Sequence, residues 1–191
     1  MTQSAPPAAA AALEEPKQWY VMRDLTRPNA LRPAYKMLAE QGIACFTPMV
    51  ERIVMRGGRG GRGERCQVPF LHDLVFAYER RSVLNCLTAR VPTLQFRFLR
   101  HAYKLPMTVN EADMQRFIHA VSATSSPRYY RPDEITPDML RRPVRIVGGP
   151  LDGYEGYLLS LRGSRTRRLL IELPTLLAAS VEVCPAYVEL L

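Results

Sequence analysis

The change of periodicity along the chain constrains the fold more than any other feature. Up to about residue 122, strand-like runs alternate with apolar positions at helical spacing. From residue 143 to the end only short strand-like runs remain. Between them, 123–142 (ATSSPRYYRPDEITPDMLRR) has prolines at 127, 132 and 137 and no periodicity, which marks a linker. One chain thus carries two architectures. The first reads β-α-β-β-α-β-α over 17–122, an α+β sandwich of sheet and helices. The second, 143–191, reads as five short strands that close into a small β-barrel, because closure removes exposed edges. Residues 1–16 read as a disordered Ala/Pro tail.

The elements follow from local pattern. Trp19–Arg23 is a run of β-formers and predicts the first strand. Asn29 then predicts a helix N-cap, with Pro33 in the first turn, Leu31, Ala34, Tyr35 and Leu38 on the apolar face, and Gly42 as the stop. Ile43–Met55 predicts a strand interrupted at Pro48, and Cys66–Tyr78 a returning one, so the two form a long hairpin around RGGRGGRGER at 56–65. Arg80–Ala89 reads as a short helix and Leu94–Arg100 as an edge strand. Asn110 caps a helix carrying Met114, Phe117, Ile118 and Val121. The second architecture places strands at 144–147, 157–161, 168–173, 178–183 and 188–190.

Composition narrows the function class. The net charge is +8, and because Lys17, Lys36 and Lys104 are the only lysines, 23 of the 26 basic residues are arginine. Such a balance favours an anionic partner, and arginine binds phosphate with a planar fork; a GC-rich genome would produce the same bias without any such partner. Cys45, Cys66, Cys86 and Cys184 have no metal-ligand spacing, and His72, His101 and His119 are scattered. No apolar run reaches the roughly 20 residues that cross a bilayer, and the start of the chain has no secretory leader pattern. A cytoplasmic monomer that stays off membranes is the expectation. There is no GxxxxGK, GxSxG or HExxH pattern. We therefore read a binding protein rather than an enzyme, with no cofactor and no metal.

Two stretches carry a family resemblance. VRIVGGPLDGYEGYLLSL, at 144–161, resembles a KOW motif through Gly149, Pro150, Asp152, Tyr154, Glu155 and Gly156. Here glycines permit backbone angles that side chains forbid, and Pro150 fixes the turn. WYV at 19–21, FTPMVERIV at 46–54 and VPFLHDLVFAY at 68–78 resemble the N-terminal domain of NusG-type transcription elongation factors. HDL at 72–74 stands where the general family carries Pro-Gly-Tyr. With ACFTPMVERIVMRG, it makes the chain more similar to the specialised paralogues, RfaH and the UpxY antiterminators of capsule operons.

The resemblance implies a NusG-type sandwich followed by a five-stranded, SH3-like KOW barrel. It also implies a factor that rides RNA polymerase and promotes read-through of selected operons, here polysaccharide biosynthesis. Tyr20, Phe46, Leu71, Leu74 and Phe76 match an apolar depression that docks the clamp helices of the β′ subunit. Strand alternation puts Leu74 and Phe76 on one face and Val75 on the other, and only one face is expected to be core. These side chains are either dock or core. Arg81 and Ser82 match the contact to the β-subunit gate loop. Arg23, Arg27, Arg32, Lys36 and Arg90 match the surface that touches non-template DNA. Arg56, Arg59, Arg62 and Arg65 on the glycine-rich tip suit phosphates of DNA or nascent RNA. The KOW domain would recruit Rho or a ribosomal protein, with Leu173, Leu176 and Leu177 as contact or core. The alternatives are a housekeeping NusG elongation/termination factor, a ribosome-associated KOW RNA-binding protein, and an RNA-modifying enzyme with a KOW appendage.

Overall fold

The computed structural model describes residues 15–28, 30–55, 63–159 and 166–191. The chain divides into two compact units, Met1–Glu111 and Ala112–Leu191. The expected tail up to residue 14, the Asn29 cap, the arginines at 56, 59 and 62 and the turn at 160–165 lie outside the described residues.

The first unit is built on an antiparallel sheet in the order β2-β5-β1-β6, from β1 (Gln18–Asp24), β2 (Ala44–Phe46), β5 (Val75–Glu79) and β6 (Leu94–Phe96). β7 (Thr108–Val109) adds to β1. Helices α1 (Ala34–Glu40) and α2 (Arg81–Arg90) supply Ala34, Met37, Leu38, Leu84 and Leu87 to a core with Tyr20, Met22, Val75 and Ala77. The register places Tyr20 opposite Ala77 and Met22 opposite Val75, so these four share the face that the helices cover.

The expectation that only one sheet face is core does not hold. Val21, Leu74 and Phe76 alternate with the helix-facing residues, yet each is at most 1% exposed. The sheet is buried on both faces, which is why β1 and β5 carry near-continuous apolar runs in place of an apolar–polar alternation.

The first helix starts later than predicted and is capped from a distance. Its N-cap position is Pro33, which has no side-chain acceptor. The buried carboxylate of Asp24, at the end of β1, accepts the Ala34 N–H at 2.7 Å and the Thr26 N–H at 2.9 Å. One side chain thus holds both the strand-to-helix turn and the first helical turn. The stop is as predicted. Gly42 sits at φ +71°, and the Gly42 and Ile43 amides reach back to Ala39 and Leu38 carbonyls.

The returning strand of the hairpin splits. β3 (Met49–Met55) pairs with β4 (Gly63–Pro69) as a separate two-stranded sheet, Met49 opposite Pro69 through Met55 opposite Gly63. After a turn at 70–74 the chain enters β5 in the main sheet. Residue 15, expected to belong to the tail, is tied down: the Glu15 carboxylate accepts the Ser82 N–H at 3.0 Å, and its carbonyl accepts from Arg80 Nε. That amide bond, together with the positive charge of Arg81 nearby, holds the Glu15 carboxyl below its ordinary pKa.

The second unit contains most of α3 (Glu111–Ser122) and a six-stranded antiparallel sheet. Its strands are β8 (Arg128–Tyr130), β9 (Leu140–Ile146), β10 (Glu155–Leu159), β11 (Arg168–Leu173), β12 (Leu177–Glu182) and β13 (Val188–Leu190), in the order β13-β9-β10-β11-β12-β8. The five-stranded closed barrel is corrected on both counts: the sheet has a sixth strand, and no ladder joins β13 to β8 among the described residues. The extra strand comes from the stretch read as linker. Tyr129 and Tyr130 pair with Ala179 and Ala178, and Ile135, Met139 and Leu140 pack on the cluster of Leu159, Leu170 and Ala178. Two 3-10 turns, Pro132–Glu134 and Pro137–Met139, use the prolines as first-turn residues.

Candidate nucleic-acid and protein interface

The apolar candidates separate. Tyr20 lies on the helix-covered face, its ring edge-on to Phe96 at 5.6 Å, and belongs to the core. Phe46, Leu74 and Phe76 belong to the opposite face, with the Phe46 and Phe76 rings 6.2 Å apart. Leu74 and Phe76 are closed off, whereas Phe46 and Leu71 are half-buried. The turn carrying Leu71 is held by the Thr47 hydroxyl, which donates to the Leu74 carbonyl at 2.7 Å, and by His72 Nε2, which donates to the Thr26 carbonyl.

The basic candidates also separate. Arg27 and Lys36 are exposed and have no ion pair among the described residues. Arg32 is engaged: its guanidinium holds Glu40 at 2.8 Å. Arg90 Nε returns to the Cys86 carbonyl of its own helix at 3.2 Å. Arg23 is exposed but alternates with Met22, so it belongs to the sheet face away from α1. The structure therefore does not gather the five residues on one face. Arg65, at the base of the tip, pairs with Glu51 at 3.2 Å. Arg81 and Ser82 form the first turn of α2, where Arg81 Nη2 donates to the Lys104 carbonyl at 3.4 Å.

In the second unit the expected motif is a working turn. Gly148 and Gly149 sit at φ +97° and +71°, and the Gly148 N–H donates to Asp152 Oδ1 at 2.6 Å. Gly156 is needed for a different reason than predicted: its φ is ordinary, but a Cβ would stand 2.6 Å from the Leu170 carbonyl oxygen. Tyr154 anchors α3. Its hydroxyl donates to the Arg116 carbonyl at 3.0 Å and receives His119 Nδ1 at 2.9 Å, while the Arg116 guanidinium lies 4.8 Å over its ring. Leu173, Leu176 and Leu177 are buried and belong to the core rather than to a contact surface.

Two features carried no sequence signal. Arg168 is 2% exposed, with its guanidinium bonded to Ser180 Oγ and carbonyl, the Ser126 carbonyl and Glu182 Oε1 at 2.6–2.8 Å. Burial lowers its pKa, and the Glu182 carboxylate works against that. Arg141, Arg142 and Arg167 line an open cleft with Leu158, Val188 and Leu190. Among the described residues no group of three His, Cys, Asp or Glu side chains could hold a metal ion. No helix there is long and apolar enough to cross a membrane.

The profile of the family described as "Transcription termination factor nusG" matches residues 17–118, more than half of the chain. The chain belongs to the NusG family. A solved structure described as "Domain interaction in Thermotoga maritima NusG" aligns with a TM-score of 0.45 and 14% identity, covering 92% of this chain and 97% of that one. No curated protein matches by sequence. The NusG match begins one residue before β1 and runs into α3, so it takes in the whole two-faced sheet.

Proposed function

We propose that this NusG-family protein is a transcription elongation factor that binds RNA polymerase and acts as an UpxY- or RfaH-like antiterminator of selected operons. Polysaccharide biosynthesis operons are its targets in this reading. The observation that carries it is the conjunction of a NusG-family N-terminal region with a C-terminal antiparallel sheet built on the Gly148–Asp152 turn, the order of modules that distinguishes such a factor from a lone KOW protein. The polymerase-facing residues in this proposal are Phe46 and Leu71, seated on the buried Leu74 and Phe76. Helix-in-groove docking onto the β′ clamp needs a few apolar anchors on a rigid sheet, and a sheet buried on both faces is rigid. Arg81 and Ser82 meet the β subunit, while Arg27 and Lys36 meet non-template DNA or nascent RNA. The C-terminal unit, acting as a KOW domain, recruits Rho or a ribosomal protein. No covalent step is involved: tighter binding to the processive state of the polymerase shifts the pause equilibrium.

The test is retention of the protein on immobilised RNA polymerase. Phe46→Asp and Leu71→Asp, checked for folding by circular dichroism, should each lower retention at least about tenfold, because a carboxylate buried in an apolar contact costs well over about 1.4 kcal/mol. Leu74→Asp and Phe76→Asp are unsuitable, because each would put a charge into the core. Folded variants retained like the wild type would remove the docking surface. Deletion of the gene should change few transcripts for a specialised factor. A broad change would favour the housekeeping elongation and termination role.

A further inference from the structure

The turn between β6 and β7 carries an exposed surface that includes none of the polymerase- or nucleic-acid-contact residues named above. Phe98, Leu99, Tyr103 and Leu105 are all large and all more than 40% exposed; Tyr103 reaches 89%. Arg100, His101 and Lys104 are exposed among them, and no acidic residue occurs from Arg97 to Val109. Arg97 is the one cation of the stretch already neutralised, by Asp73 at 3.3 Å.

The turn has a fixed frame. Phe98 bridges Pro106, the Leu99 N–H donates to the Leu105 carbonyl at 3.0 Å, and the Met107 N–H to the Arg97 carbonyl at 2.7 Å. At its tip Lys104 is held at φ +51°, a left-handed conformation that is strained for a non-glycine residue. The Arg81 guanidinium caps the Lys104 carbonyl, and the Lys104 ammonium lies 5.0 Å from the Tyr103 ring centroid. The Phe98 ring lies 6.2 Å from the Phe96 ring, tilted at 53°, and so has an aromatic neighbour that is itself buried. Exposed aromatic faces on a rigid base, interleaved with unpaired cations, are what single-stranded nucleic acid needs: bases stack on the rings and phosphates meet the charges. Cations beside exposed rings, with no carboxylate from Arg97 to Val109, favour a polyanion that also offers flat apolar faces.

We propose that residues 98–105 form a binding surface for single-stranded nucleic acid, with bases stacked on Tyr103 and Phe98 and phosphates held by Arg100 and Lys104. This does not depend on polymerase docking. It concerns a surface distinct from Arg27 and Lys36.

The experiment is a fluorescence-anisotropy titration of the full chain with a labelled oligothymidylate of about 12 nucleotides, within the site sizes of single-strand binders, at several salt concentrations, with polymerase retention measured in parallel. Tyr103→Ala should weaken binding about tenfold at every salt concentration, and Tyr103→Phe should restore it. The Arg100→Ala/Lys104→Ala variant should flatten the salt slope by roughly 0.7 for each phosphate left without its cation. In Tyr103→Trp, the new indole should be quenched by the oligonucleotide, whereas the buried Trp19 should not. Wild-type affinity in Tyr103→Ala together with an unchanged slope in the double variant overturns the proposal. So does Tyr103→Ala losing polymerase retention while keeping the oligonucleotide, because that assigns the loop to protein. Loss of retention only in Phe46→Asp bears on docking and leaves this surface standing.

Discussion

At the scale of single residues, buried charge organises this protein more than its surface arginines do. Arg168 satisfies its donors on Ser126, Ser180 and Glu182, so it joins the segment before β8 to β11 and β12. Ser180 also meets the Tyr130 hydroxyl at 3.3 Å. Ser180→Ala deletes the acceptor of Arg168 Nε inside the unit and should cost about 1–3 kcal/mol. A thermal melt should show a lower midpoint, and an unchanged one would contradict a dry guanidinium site. Asp24 plays the corresponding part in the first unit, ordering a turn and a helix start with one carboxylate. Neither residue was legible in the sequence. Arg168 is one of 23 arginines, and Asp24 lies ten residues before the amide it caps, well outside any local capping pattern.

At the scale of elements, strand positions follow from the pattern, but their partners do not. The runs expected at 168–173 and 188–190 are β11 and β13 to the residue, because β-branched and aliphatic clusters bounded by turn residues leave little freedom. The return strand expected over 66–78 instead breaks at 70–74 and serves two sheets, a choice that depends on what each half packs against. Gly156 shows how closely two elements are matched. Gly156→Ala should push β10 off β11 and lower stability by about 1–3 kcal/mol, as overpacking does. Gly153→Ala, at φ +76° with no atom within 4 Å of a Cβ, should cost only about 1–2 kcal/mol of backbone strain. A Gly156→Ala variant that melts at the wild-type temperature would contradict the close approach at Leu170.

At the scale of the molecule, the net charge of +8 sets a long-range preference for anions, and its distribution sets which cations are available to them. Of the residues grouped by resemblance, Arg32 is paired with Glu40 and Arg23 faces away from α1. A triple Arg27→Ala, Arg32→Ala, Lys36→Ala variant should therefore flatten the salt slope of oligonucleotide binding by about 1.4, the share of two free cations at roughly 0.7 each, rather than of three. A larger drop would mean that Arg32 leaves Glu40 on binding. By itself, the sequence determined the mixed helix-and-strand class, most of the individual strands and helices, the glycine turn of the second unit and the family, because each rests on local periodicity or short-range turn chemistry; the division falls at 111/112 rather than after 122. Only the tertiary structure decided that the first sheet is buried on both faces, that the proline-rich stretch adds a strand, which apolar candidates stay accessible and which arginines are already paired. Burial and pairing depend on residues far apart in the chain, and no local pattern records them.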